Sequence, residues 1–358
     1  MPVRPRFRRK AGVISRPMNE SHAPAFPISD HCDGRVFFNP GVDTDRSLAD
    51  LWRWRRSGKR TPWPASVPVP PAPPPPAAAG PGEVLVTCVG QSTVLIQVAG
   101  CNILTDPIWS DRASPVAFAG PKRVRRPGIA FDDLPHIDLV LLSHNHYDHL
   151  DVPTLKRLHR RSAPRVVTGL GNGRILARHG LGPAVELDWW DCCTPAAGID
   201  VTYLPARHWS SRTVRDRRRA LWGGHAVQAG GACIYFAGDS GYGPHFSAIG
   251  RALRPDVALL PIGAYEPRWF MKDQHMDPFD AVAAHRDLDA GLSVAIHWGT
   301  FQLTDEGIDA PLDALARARD AAGLDDAAFQ APDVGTTLVW RARPLPAEAP
   351  EGRGGGTP

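Results

Sequence analysis

No apolar run in this sequence is long enough to cross a membrane or to form the core of a secretory signal, so a cytoplasmic protein is expected. The six cysteines (Cys32, Cys88, Cys101, Cys192, Cys193, Cys233) show no Cys-x-x-Cys spacing, which excludes a thiolate zinc site. Several of them lie in apolar runs, as small buried side chains do in a reducing compartment, and no disulfide is expected. A net charge of +4 is too small an excess to argue for a nucleic-acid partner. No 20- to 50-residue repeat is present, which excludes solenoids and propellers. What remains is an ordinary globular composition, 43% hydrophobic and 22% charged over 358 residues, enough for one large or two small domains.

The 37 prolines are unevenly spread, and residues 61–82 read TPWPASVPVPPAPPPPAAAGPG. Proline lacks a backbone donor and clashes with helix, so this stretch is expected to be an extended linker or wrap. It divides the chain. Before it lie a tail and packing arm, residues 1–60, of which 1–35 are expected to be loosely attached. Leu48, Leu51, Trp52 and Trp54 then give a short apolar-patterned segment, and the arm is expected to pack across the main domain with its tryptophans as anchors. After it, residues 83–343 form the folded domain, and 344–358 are expected to be a disordered tail.

Within the domain, Val84–Val89, Ser92–Val98 and Cys101–Thr105 read as three strands joined by glycine turns, close enough for an antiparallel meander. Strands then alternate with helices. Asp277-Pro278 with Asp280 is a capped helix start running to Leu288, and Pro311–Ala322 is a helix stopped by Gly323. Gly230-Gly231 turns a hairpin, and Leu338–Trp340 is a last strand. This pattern predicts a layered α/β sandwich.

The stretch Leu142–Asp151 reads LSHNHYDHLD, and it follows the apolar run Ile137–Leu142 expected of a buried strand. Its His144, His146, Asp148 and His149 are imidazole and carboxylate donors, which suit zinc or iron better than calcium or magnesium. His208, Asp239 and His297 also stand just past strand ends. Seven donors are too many for one tetrahedral ion and suit two. His144, His146 and His208 are expected to hold the first, Asp148, His149 and His297 the second, with Asp239 bridging. Asp148 and Asp239 thus carry the catalytic carboxylates. The expected cofactor is a pair of zinc ions, with iron and manganese as other ions that such ligands take. A metal-bound hydroxide is the expected nucleophile, suited to a phosphodiester or an activated acyl bond.

The HxHxDH stretch with strand-terminal His, Asp and His resembles the metal signature of the metallo-β-lactamase fold. Further segments resemble its branch of N-acylphosphatidylethanolamine-hydrolysing phospholipases D. They are Thr105–Ile108, Ala113–Pro115, Gly120–Arg123, Glu186–Trp190, Pro205–Trp209, Leu221–Gly223, Phe236–Asp239, Pro261–Met271 and His297–Phe301. The resemblance implies an αββα sandwich of two mixed β-sheets flanked by helices. It also implies a dinuclear zinc phosphodiesterase that releases an N-acylethanolamine and leaves phosphatidic acid. Asp106, in the first of these motifs, is expected to accept a hydrogen bond that orients a ligand histidine. His275, Tyr265, Arg268 and Lys272 are expected to contact substrate. The chain departs from the animal enzymes in its proline-rich stretch and in a loop carrying Arg212, Arg215, Arg217, Arg218 and Arg219; its alanine, arginine and proline richness fits a bacterial protein.

The expected partner is a phospholipid or a small phosphorylated substrate. The basic groups near Lys122, Arg123, Arg125 and Arg126 and the arginine loop are candidates for meeting phosphate or an anionic membrane face. A homodimer through the tryptophan-rich arm is a further expectation. Two alternatives stand beside it: a lactonase for a phosphorylated sugar or related small molecule, which the resemblance also implies through its bacterial members, and a non-catalytic, metal-stabilised binding protein.

Overall fold

The computed structural model describes residues 8–9 and 25–341; the expected C-terminal tail and most of the N-terminal tail lie outside the described residues. The meander Glu83–Gly90, Thr93–Val98 and Cys101–Thr105 opens the first sheet, with antiparallel ladders through Val84↔Val98 and Ile96↔Ile103. Side chains alternate across a strand, so each strand feeds two different cores. Ile96, Ile103 and Leu141 point to the sheet–sheet interior, while Leu95, Leu104, Val140 and Leu142 point to helices Val152–Ser162 and Gly173–Arg178. Being apolar on both faces is what buries these strands completely.

From edge to edge this sheet runs Thr337–Arg341, Glu83–Gly90, Thr93–Val98, Cys101–Thr105, Leu139–Leu142, Arg165–Gly169 and Val185–Leu187. The second runs Arg8–Arg9, Asp191–Ala196, Ile199–Leu204, Gly224–Ala229, Ala232–Phe236, Val257–Pro261, Leu292–Ile296 and Phe329–Gln330. Both mix parallel and antiparallel pairs. Tyr203, Val227, Ile234, Leu259 and Val294 meet the first sheet's inner face, and helices His245–Leu253, Pro278–Leu288 and Ala310–Ala322 cover the outer one. The result is an αββα sandwich of two mixed sheets. No helix among the described residues is long and apolar enough to cross a membrane.

Some elements carry little sequence signal. Asp191–Ala196 contains Pro195 and pairs with Ile199–Leu204 through a register shift between Cys193 and Ala196. His245–Leu253 has Gly250 in its interior, where a side chain would collide with the backbone oxygen of Asp287 in the neighbouring helix. Leu48–Ser57 has no buried residue to set a period, yet Ser47 and Asp50 form a reciprocal capping box and Gly58, at φ 63°, closes its end.

The N-terminal segment requires a correction. Residues 25–35 are not loosely attached: Cys32 is fully buried, Phe26 packs on the central core, and Phe37 lies inside it. Further on, Trp54 donates through Nε1 to Asp305 and packs at a tilt against Phe270, with ring centroids 5.0 Å apart. The proline-rich stretch lies across the domain, with Pro76 and Ala77 carbonyls accepting from Gln97 and Asn102, and Trp63 donating to the Glu306 carbonyl.

Candidate metal centre

Parallel strands deliver the site, because their carboxyl ends lie at one edge of the sandwich. His144 follows Leu139–Leu142, Asp239 follows Ala232–Phe236, His297 follows Leu292–Ile296, and His208 follows Ile199–Leu204. Gly238, at φ 61°, precedes Asp239 and packs against Ser143, where any side chain would collide. Asp106 and His297 take positive φ themselves, at 33° and 61°, the kind of backbone outlier that collects at functional sites.

The seven expected ligands come together in two groups. Nε2 of His144 lies 2.8 Å from Nδ1 of His146, which lies 3.2 Å from Nε2 of His208. In the second group, Asp148 Oδ2 lies 3.2 Å from Nε2 of both His149 and His297. Asp239 Oδ2 stands between the groups, 3.1 Å from His149, 3.2 Å from His297 and 3.8 Å from His208.

Hydrogen bonds fix which nitrogens face inward. Ser143 Oγ donates to Asp106, so it accepts from His144 Nδ1–H at 2.9 Å, and the His144 Nε2 lone pair is left for the centre. His149 Nδ1 donates to Asp106 Oδ2 at 2.6 Å, and His208 Nδ1 donates to the Gln274 carbonyl at 2.9 Å, with the same consequence for each Nε2. Burial first, then the neighbouring imidazoles, pushes His144 and His146 well below the ordinary histidine range; burial takes His208 to about 4. These three are neutral donors.

The second group holds two buried carboxylates side by side. Burial acts to raise Asp148 and Asp239, but His149 and His297 outweigh it and hold both well below the carboxylate range. Burial likewise acts to lower His297, and the two acids lift it to about 9. Such a pair of buried carboxylates calls for positive charge, which a protonated histidine or a metal ion can supply. Nε2 of His149 and Oδ1 of Asp239 are buried without a hydrogen-bond partner. Donor chemistry and orphaned atoms fit two divalent ions. Asp106 takes no place in either group, since its carboxylate is occupied by Ser143 and His149, and it supports ligands from outside.

A cleft of ≈ 810 Å³ opens above Asp148 and Asp239, walled by Leu51, Trp54, Phe270, Met271 and Leu303. His275 lines it, with Nδ1 3.9 Å from Asp239 Oδ2. Tyr265, Arg268 and Lys272 do not join it. Tyr265 and Arg268 line a separate cavity with Arg53, Lys59 and Glu266, and Arg268 is held by Asp277 and Asp280. Lys272 is exposed. Several of the basic groups are also committed internally: Arg212 to the Asn145 and Leu150 carbonyls, Arg217 and Arg218 to Asp45, and Arg123 to the Ile108 and Ser110 carbonyls. Tyr147 and Trp209, not singled out as site residues from sequence, line the cleft; Tyr147 stands inside the HxHxDH motif, which was the available signal. Arg212 stacks over the Tyr147 ring at 3.9 Å.

Residues 101–298 match the family described as the β-lactamase superfamily domain. The chain belongs to this superfamily. It is a metal-dependent hydrolase of the metallo-β-lactamase fold. It is 39% identical over 270 residues to N-acyl-phosphatidylethanolamine-hydrolyzing phospholipase D 1 of Caenorhabditis elegans, covering 72% of this chain and 75% of that one. The mitochondrial enzyme of the same name from Saccharomyces cerevisiae is 30% identical, over 70% of this chain and 55% of its own length. Among solved structures, Igni18, a metallo hydrolase from the archaeon Ignicoccus hospitalis, superposes with a TM-score of 0.56 at 22% identity, covering 73% of this chain and all of that one.

Proposed function

We propose that this superfamily member is a dinuclear zinc phosphodiesterase, with N-acylphosphatidylethanolamine as its substrate. The observation that carries the reading is the position of Asp239 Oδ2 between a three-histidine group and a carboxylate–histidine group, at the floor of an apolar-walled cleft. His144, His146 and His208 would hold one ion, Asp148, His149 and His297 the other, and Asp239 both. Ions held there would lower the pKa of a bound water and offset negative charge on phosphoryl oxygens.

The chain's own residues do the rest. Asp106 and Ser143 keep His144 and His149 in the tautomers that leave Nε2 free. Gln91 donates to Asp148 Oδ2 at 2.9 Å and fixes that carboxylate. Leu51, Trp54, Phe270 and Leu303 give acyl chains an apolar wall and keep water from the reacting bond. Burial takes His275 to about 3, so it faces the cleft as a neutral imidazole able to hydrogen-bond a headgroup. The nearly fully exposed Leu48 and Val214 at the cleft rim, with the exposed Arg215 next to Val214 in the chain, suit contact with an anionic membrane face.

The resemblance to the nematode and yeast enzymes supports the lipid substrate. The test is release of N-acylethanolamine from N-acylphosphatidylethanolamine vesicles by purified protein whose zinc content has been measured. Protein with two zinc ions bound that releases none overturns the substrate. Turnover of a phosphorylated lactone in its place establishes the lactonase reading.

A further inference from the structure

We infer that Asn39, which lies in the arm before the superfamily domain, is a positioning residue for the first ion and aims His208 at it; this rests on the two-metal reading above. His208 lies four residues past Ile199–Leu204, beside the isolated bridge Arg207↔Gly241, whereas His144 lies two residues past the core strand Leu139–Leu142. Its peptide is gripped by a single carboxamide. Asn39 Nδ2 donates to the His208 carbonyl at 2.8 Å, and the His208 N–H donates to Asn39 Oδ1 at 3.2 Å.

The remaining capacity of that amide is filled too. Its Nδ2 also donates to Thr44 Oγ1 at 3.0 Å, and its Oδ1 accepts from Trp222 Nε1 at 3.2 Å. A side-chain amide has two donors and two acceptor lone pairs, so Asn39, at 6% exposure, is fully satisfied in this one orientation. With the peptide held by Asn39 and Nδ1 held by the Gln274 carbonyl, His208 has one way to face, Nε2 toward His146 and Asp239. The arm is therefore part of the metal centre, although it supplies no ligand.

Anchoring of the arm alone is the competing account, and the two differ in what they do to metal. The experiment measures zinc affinity at each site of the purified full chain by competition with a chromophoric chelator, for Asn39→Leu, Asn39→Asp and His31→Leu. His31→Leu loosens the arm at Asp188 without touching His208. The expected result is that wild type takes two equivalents and Asn39→Leu weakens one of them by about 10- to 100-fold, the range for lost outer support of a ligand, leaving the other unchanged. Asn39→Asp, which keeps both acceptor contacts but sets an oxygen against the His208 carbonyl, weakens the same equivalent too. His31→Leu leaves both at wild-type affinity. In a His208→Ala background, Asn39→Leu has no further effect, because the two residues act as one unit.

Wild-type affinity at both sites in Asn39→Leu overturns the inference, as does an undiminished effect in the His208→Ala background or the same loss in His31→Leu. If Asn39→Leu does not fold, Asn39→Asp is judged by the same criteria. A wild-type chain that takes up no zinc overturns the metal reading itself, a result distinct from two tightly bound ions in every Asn39 variant.

Discussion

Asp106 touches neither the cleft nor the inward-facing donors, yet it sets the tautomer of two of the ligand histidines. Replacing it with Asn puts an amide NH2 either against the Ser143 backbone N–H or against both Ser143 Oγ and His149 Nδ1, so at least one donor loses its acceptor. Asp106→Asn is expected to cost about 10- to 100-fold in metal affinity or activity, read by chelator competition and kcat/KM. Asp239→Asn is the sharper change, because it removes the carboxylate between the two groups. Turnover is expected to fall to background while the His144, His146 and His208 group still takes up one ion. Undiminished turnover in Asp239→Asn would place the chemistry outside this centre.

Among the elements, the helix Leu48–Ser57 acts on the cleft and little on the core. It buries nothing of its own, but Leu51 and Trp54 form cleft wall. Trp54→Ala is expected to raise KM for a long acyl chain more than for a short one and to leave kcat nearly unchanged; an equal rise for both would place the acyl chain elsewhere. Helix His245–Leu253 acts on the core instead. Gly250→Val is expected to destabilise the protein by about 1–3 kcal/mol, the usual cost of overpacking, because the side chain would strike the Asp287 backbone. Denaturant midpoints at constant slope measure it.

For the molecule as a whole, the arm and the metal centre both feed into stability. His31 lies between Asp30, 2.6 Å from Nδ1, and Asp188, 2.8 Å from Nε2. Two acceptors on one ring favour the doubly protonated form. Burial opposes this, but the two carboxylates prevail and raise the pKa above 6.5. A histidine with a raised folded-state pKa contributes its full stability below the unfolded value and loses it as pH climbs through the folded one. The Tm difference between wild type and His31→Leu is therefore expected to be largest below pH 6.5 and to shrink as pH rises above it. A difference that is flat with pH would remove the charge from the account. Metal would act by mass action: a free ion at one hundred times its Kd stabilises by about 2.7 kcal/mol, and chelation is expected to lower Tm accordingly.

The seven candidate ligands and the α/β layering could be read in the sequence because each rests on a local pattern. Apolar runs such as Ile137–Leu142 end at a histidine or an aspartate, and Asp277 with Asp280 marks a helix start whatever the surroundings. Patterns of this kind are set by spacing along the chain. Tertiary structure alone decided which side chains share the cleft. Arg268 and His275 are seven residues apart, yet one is neutralised by Asp277 and Asp280 while the other faces Asp239. It also placed Asn39 against His208, 169 residues further on, and brought residues 25–35 into the core. Contacts that distant depend on packing between layers, and no periodicity in the chain encodes them.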